Sequence, residues 1–179
     1  MKLKRTLVYS LALACAIYPS SVGYAASPYL SYGDENGRVS VNIKGSGSTY
    51  SWSSIVSESV SAWNNSRANV YINEKSTSKN SVVITDFPDS WYGLNRSISN
   101  SYGYITKYTI YVNGRTIVAN ARNVHSFIKS TITHEFGHVF WLCDNPVTGQ
   151  ESIMKHTRDR NSMTLPQQYD IQNVNKMYK

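Results

Sequence analysis

The chain has 179 residues, 16% of them charged, and a net charge of +7. Its lysines and arginines are scattered, so there is no basic stripe and no nucleic-acid motif. Two cysteines are too few for a disulfide framework.

The first residues, Met1-Lys2-Leu3-Lys4-Arg5, are positively charged, and an apolar run from Leu7 to Tyr18 follows before small residues up to Ala25-Ala26. This pattern predicts a signal peptide over residues 1–25. The apolar run, at roughly 12 residues, is too short to span a bilayer. Ala12-Leu13-Ala14-Cys15 is only a faint lipoprotein box. Losing the leader's three positive charges takes the net charge from +7 to +4 and leaves Cys143 as the single cysteine. Roughly 150 residues remain, enough for one domain with a real core. Secretion follows as the expected localisation, with cell-wall association left open and no membrane contact once the leader is gone.

Pro28 to Asn36 reads as an entering arm. Arg38 to Lys44 alternates and predicts a strand, closed by a Gly45-Ser-Gly-Ser turn. Ser51 or Ser53 can cap a helix in which Ile55, Val56, Val60 and Trp63 share a face. Val70-Tyr71-Ile72 predicts a short strand, Lys75 to Asn80 a polar loop, and Ser81 to Thr85 a buried strand. Asp86 to Ser101, rich in serine and asparagine, reads as a long surface loop. Tyr102 to Tyr111 and Thr116 to Ala119 read as paired strands about an Asn113-Gly114 turn.

Asn123 is an N-cap candidate for the next helix, where Phe127, Ile128, Thr131 and Ile132 keep helical spacing. That helix runs into Thr133-His-Glu-Phe-Gly-His138. Residues four apart stand one above the other on a helix, so His134 and His138 can aim two imidazoles at one point. Glu135 is turned about 100° from His134 and lies beside that point as a general base. A third ligand is needed. Asp144 stands six residues after His138; Cys143 and His156 are the alternatives. Cys143 reads first as a small buried apolar residue, and His156 as a surface histidine, a reserve ligand or a donor to the transition state. His125 reads as solvent-facing.

His134-Glu-Phe-Gly-His138, a ligand-capable residue six positions on, and Ser152-Ile153-Met154 resemble the metzincin zinc metalloproteases, most closely their matrixin-like branch. That family's pattern is HExxHxxGxxH, or HExxHxxGxxD in its snapalysin-like members, with a Met-containing turn beneath the metal. The resemblance implies an α+β fold: a mixed twisted sheet, an active-site helix, a Met-turn and a C-terminal helix. Residues 26–179 would form one catalytic domain, with an upper part to about residue 140 and a lower part beyond. His134, His138 and Asp144 would hold one zinc ion, Glu135 would be the base and Met154 the turn methionine. The family also binds substrate along an edge strand, for which Tyr104–Val112 is the candidate. One position departs from the pattern: the family glycine falls on Trp141, where a left-handed backbone costs a tryptophan about 1–2 kcal/mol.

At the end of the chain, Thr164-Leu-Pro-Gln167 reads as a capping box for a helix with Ile171, Val174 and Met177-Tyr178 on one face. The expected function is that of a secreted zinc-dependent endopeptidase, monomeric, using a zinc-activated water on a protein or peptide substrate. The competing expectation is a non-catalytic extracellular or cell-surface binding module, motivated by Trp141 and by 14 tyrosines. Calcium is left open by backbone carbonyls, but no acidic loop calls for it.

Overall fold

Alternation in sequence carries most of the sheet. β2 (Arg38–Gly45) buries Val39 and Val41, and β4 (Ser81–Thr85) buries Val82 and Ile84. β3 (Tyr71–Glu74) runs parallel to β2, β2 to β4, and β4 to β6 (Ile105–Asn113). β5 (Gly93–Ser99) runs antiparallel to β6. A short β1 (Tyr9–Leu11) pairs antiparallel with β5, giving the order β1-β5-β6-β4-β2-β3. The structure is a computed structural model. It describes residues 9–11 (backbone only), 27–45, 52–144, 146 and 149–179. The rest of the expected signal peptide, the turn expected after Gly45 and the expected Ser51 cap lie outside the described residues.

Two expectations fail on the segment 86–120, for readable reasons. The stretch taken as a loop contains β5. Its buried face is made of Asn95 and Ser97, so no apolar alternation marks it as a strand. Asn95 Nδ2 donates to the Glu135 carbonyl at 3.0 Å, and Ser97 Oγ donates to Asn95 Oδ1 at 2.6 Å. The hairpin about Asn113-Gly114 is not formed either. The Asn113 side chain accepts from Thr116 N, and from Phe87 N at 3.1 Å, and so caps α2 (Gly114–Asn120). An asparagine able to make an N-cap favours helix over a two-residue turn when the chain beyond has a place to pack. β6 therefore lies between β5 and β4, and Tyr104–Val112 is not an edge strand.

α1 (Trp52–Asn64) lays Ile55, Val56, Val60 and Trp63 on the core as expected. It packs on α3 (Val124–Val139), where Ile128, Ile132, Phe136 and Val139 are fully buried. Trp63 fixes the register between the two helices. Its Nε1 donates to the Thr133 carbonyl at 2.9 Å and its ring meets Phe140 edge-on at 5.4 Å. Asn123 caps α3, accepting from Ser126 N at 3.0 Å. α4 (Gln168–Met177) does close the chain, but its capping box is Gln167 with Asp170, three residues later than expected. Val174 and Tyr178 are buried while Met177 is exposed, so the apolar face is narrower than the sequence suggested.

Candidate metal centre

α3 presents its second half to the centre of the molecule, where His134, Glu135 and His138 are all buried. Each imidazole is held by its far nitrogen. His134 Nδ1 is 2.9 Å from the Ile153 carbonyl, and His138 Nδ1 is 2.9 Å from the Leu142 carbonyl. A carbonyl only accepts, so each Nδ1 carries a proton and each ring turns Nε2 inward, where the neutral ring offers a lone pair. The two ring centroids are 4.8 Å apart, nearly perpendicular.

The chain then turns back to the same point. Phe140 ends α3, and Leu142 N bonds to the Gly137 carbonyl at 3.0 Å across Trp141, which has φ 71°. This is a helix C-terminus of the kind usually closed by glycine in the left-handed region. Several contacts offset the strain. The Trp141 carbonyl accepts from Leu30 N at 2.7 Å, its Nε1 donates to the Asp34 carbonyl at 2.8 Å, and its ring lies where a side chain on Gly33 would stand. The entering arm and the departing loop thus lock each other, and the Tyr178 hydroxyl adds a bond to the Asp34 carbonyl at 2.9 Å.

The result is a convergence on Asp144. Its Oδ1 lies 3.0 Å from His134 Nε2, 3.5 Å from His138 Nε2 and 3.2 Å from His156 Nε2. By distance these are ion pairs, yet Oδ1 is buried with no hydrogen bond of acceptable geometry. The angles are the better guide, because the rings spend their protons elsewhere. Lone pairs facing a carboxylate oxygen repel unless a proton or a metal cation sits among them. The ligand atoms of His134, His138 and Asp144 lie within 4.8 Å of one another. Tetrahedral zinc with bonds near 2.0–2.1 Å needs ligand atoms about 3.3 Å apart; the two separations from Asp144, 3.0 and 3.5 Å, bracket that value. Two imidazole nitrogens and a carboxylate oxygen converging in this way are a donor set that fits a divalent cation such as zinc. Cys143 does not join them: it is buried, with Sγ directed to the Ser27 carbonyl at 3.2 Å. His156 stays outside the three-residue set, with its side chain 56% exposed, although it reaches Asp144. His125 is exposed and 2.9 Å from Glu58.

The charges respond to this crowding. Burial, with the nearby Arg158 charge, lowers His134 to about 3. Burial also works against charging His138, but the Asp144 carboxylate outweighs it and lifts His138 to about 9. Asp144 is itself held far below the usual carboxylate range: burial opposes this, and the two imidazoles override it. Without a cation, then, one proton shared on His138 relieves the cluster. Burial pushes Glu135 up to about 7. Tyr32, on the arm, keeps a buried hydroxyl with no hydrogen-bond partner among the described residues, and burial with the Asp144 and Glu135 charges raises it to about 12.

Met154 lies in a turn beneath the helix, its sulfur in the space a side chain on Gly137 would need. Asp170 fixes that turn: it accepts from Ser152 Oγ at 2.5 Å, Ile153 N at 2.8 Å and Gln167 N at 2.8 Å. A cleft of about 430 Å³ opens over the cluster, bounded by Tyr92 to Asn95 on one side and His156, Arg158 and Arg160 on another. Gly93, Asn95, Arg158 and Arg160 were not anticipated as site residues. Nothing in their local sequence marks them, because their place depends on the unforeseen strand β5 and on the loop after Met154.

No protein-family model matches the chain, and no curated protein sequence does. Solved structures do. A chain of the GM1-bound form of the ECX AB5 holotoxin superposes with a TM-score of 0.57 at 17% identity, covering 88% of this chain and 87% of that one. Myroilysin superposes with a TM-score of 0.53 at 15% identity, covering 83% and 96%. High choriolytic enzyme 1, a hatching enzyme zinc-protease from the medaka fish Oryzias latipes, reaches only 0.46 at 12% identity over 89% and 98%. At these identities the likeness concerns the fold. That shared fold is a mixed α+β arrangement, a twisted sheet packed on helices.

Proposed function

We propose that this chain is a secreted zinc-dependent endopeptidase, in which His134, His138 and Asp144 hold the metal and Glu135 is the general base. The observation that carries the reading is the convergence of two inward Nε2 lone pairs and an otherwise orphaned carboxylate oxygen. A zinc ion held there would polarise a scissile carbonyl and acidify water. Glu135 shares the cleft with all three ligands, and burial brings it up to about 7, where it can take a proton near neutral pH. It would then pass that proton to the departing amine. Asn95 ties β5 to the helix turn that carries Glu135, and Met154 supports the same turn from below.

Residues 1–25 are read as the export signal. β1 falls within them, so their removal would leave β5 as the sheet edge beside the cleft. The substrate-strand role expected of Tyr104–Val112 then passes to Gly93–Ser99, whose free backbone groups can take up an extended peptide as an added strand.

The test is Glu135→Ala, assayed for peptide hydrolysis and zinc content together. Hydrolysis is expected to vanish while zinc stays. Turnover near that of the unaltered chain would refute the mechanism. Zinc bound by both proteins with no hydrolysis by either would favour the non-catalytic binding module instead.

A further inference from the structure

Two guanidinium groups face the cleft beside Glu135, and the proposed chemistry uses neither. Arg158 is 7% exposed. Its Nε donates to Ser130 Oγ at 3.1 Å and its Nη1 to the Lys155 carbonyl at 2.9 Å, both neutral acceptors. Arg160 lies over the rings of Tyr92 and Phe127, at 5.3 and 5.8 Å from their centroids, and donates to the His156 carbonyl at 3.1 Å. Among the described residues, no carboxylate oxygen comes within 4.0 Å of a nitrogen of either arginine.

Burying a cation with no carboxylate in direct contact is unfavourable, and placing a second cation near it more so. Burial, then the like charge of Arg160, pull Arg158 down to about 9, against the opposing pull of the Glu135, Asp144 and Asp170 carboxylates, and it is still charged at neutral pH. The neutral acceptors leave guanidinium N–H groups unspent. Aromatic faces and a backbone carbonyl hold the Arg160 head without neutralising it. A carboxylate entering the cleft would meet planar donors suited to two parallel bonds and would relieve the repulsion between the two arginines.

We infer that the cleft selects peptides bearing an acidic side chain, Asp or Glu, next to the scissile bond, with Arg158 and Arg160 as its binding groups. This rests on the endopeptidase reading, and it names the substrate class that reading leaves open.

The experiment uses the zinc-loaded chain and pairs of fluorogenic peptides that differ only as Asp against Asn, or Glu against Gln, at positions flanking the bond. At one of these positions kcat/KM is expected to favour the acid by on the order of tenfold to a hundredfold. Arg160→Gln and Arg158→Gln should each reduce that ratio by about tenfold, and Arg160→Glu should move the preference toward lysine-bearing peptides. A ratio measured within one variant does not depend on how much of it is folded, so a stability defect at buried Arg158 leaves the test intact. Equal cleavage of acid and amide peptides by the unaltered chain, or ratios unchanged in both glutamine variants, would overturn the inference and leave the endopeptidase reading standing. Failure of the zinc-loaded chain to cleave any peptide would overturn both.

Discussion

Gly93→Ala separates the placing of the base from the binding of the metal. A Cβ at this position would stand 2.5 Å from Glu135 Oε1 and 2.6 Å from Thr131 Cγ2, where ordinary contact needs about 3.4 Å or more. Something must move by roughly 0.9 Å. Glu135 Oε1 is the far end of a flexible side chain and gives way at little energetic cost, whereas Thr131 is β-branched and stiff within α3. The Gly93 backbone has no positive φ, so alanine brings no left-handed strain and removes some freedom from the unfolded chain, a gain of about 0.4–1 kcal/mol. Against that stands overpacking of about 1–3 kcal/mol. Net destabilisation of about 0–3 kcal/mol is therefore expected. Catalysis should suffer more, since a displacement of about 1 Å at a reacting group can reduce rate by on the order of a hundredfold. The atoms nearest Gly93's added carbon belong to Glu135 and Thr131 rather than to His134, His138 or Asp144, so zinc content should hold. The assay is kcat, zinc per chain and thermal unfolding on one preparation. Undiminished kcat in a zinc-replete Gly93→Ala chain would refute the placing of Glu135 as the base.

Other perturbations probe the remaining parts. Asp144→Ala should lose tightly bound zinc and hydrolysis together, and Asp144→His should recover part of both; metal analysis of both variants checks this. Trp141→Gly relieves about 1 kcal/mol of left-handed strain but removes a half-buried ring and its bond to Asp34, so a net loss of about 1–3 kcal/mol is expected by thermal unfolding. In the metal-free chain Glu135 binds its proton more tightly folded than unfolded. Stability therefore falls as pH rises from about 4.5 through about 7. Glu135→Gln should accordingly raise the thermal midpoint in chelator at pH 8 and scarcely at pH 4. In the zinc-loaded chain the added positive charge lowers Glu135 again, so the acid limb of kcat/KM should fall between its ordinary 4.5 and about 7.

Much of the candidate site's geometry was legible because one helix carries it. The i, i+4 spacing of His134 and His138 fixes their common face whatever surrounds them, and a carboxylate six residues on needs only a chain reversal. The sequence seemed to forbid that reversal, since it places Trp141 where glycine is the easy residue. The arm 28–34 resolves this by supplying partners for the Trp141 carbonyl and indole, contacts between residues over a hundred positions apart that no local pattern announces. The same limit hid β5. A strand whose buried face is asparagine and serine looks like a loop until the helix that satisfies those side chains is known. Asn113-Gly114 is the converse case, a strong local turn signal overruled because the asparagine found three backbone partners in Phe87, Asp89 and Thr116.

The most direct measurement is X-ray absorption at the zinc edge on the full chain loaded with one equivalent of zinc. The account predicts one tightly held ion with two imidazoles and a shell of light atoms, free of sulfur, and loss of that ion in Asp144→Ala. A sulfur neighbour would point to Cys143. A third imidazole persisting in Asp144→Ala would make His156 the ligand. Failure to retain zinc at all would contradict the central claim outright.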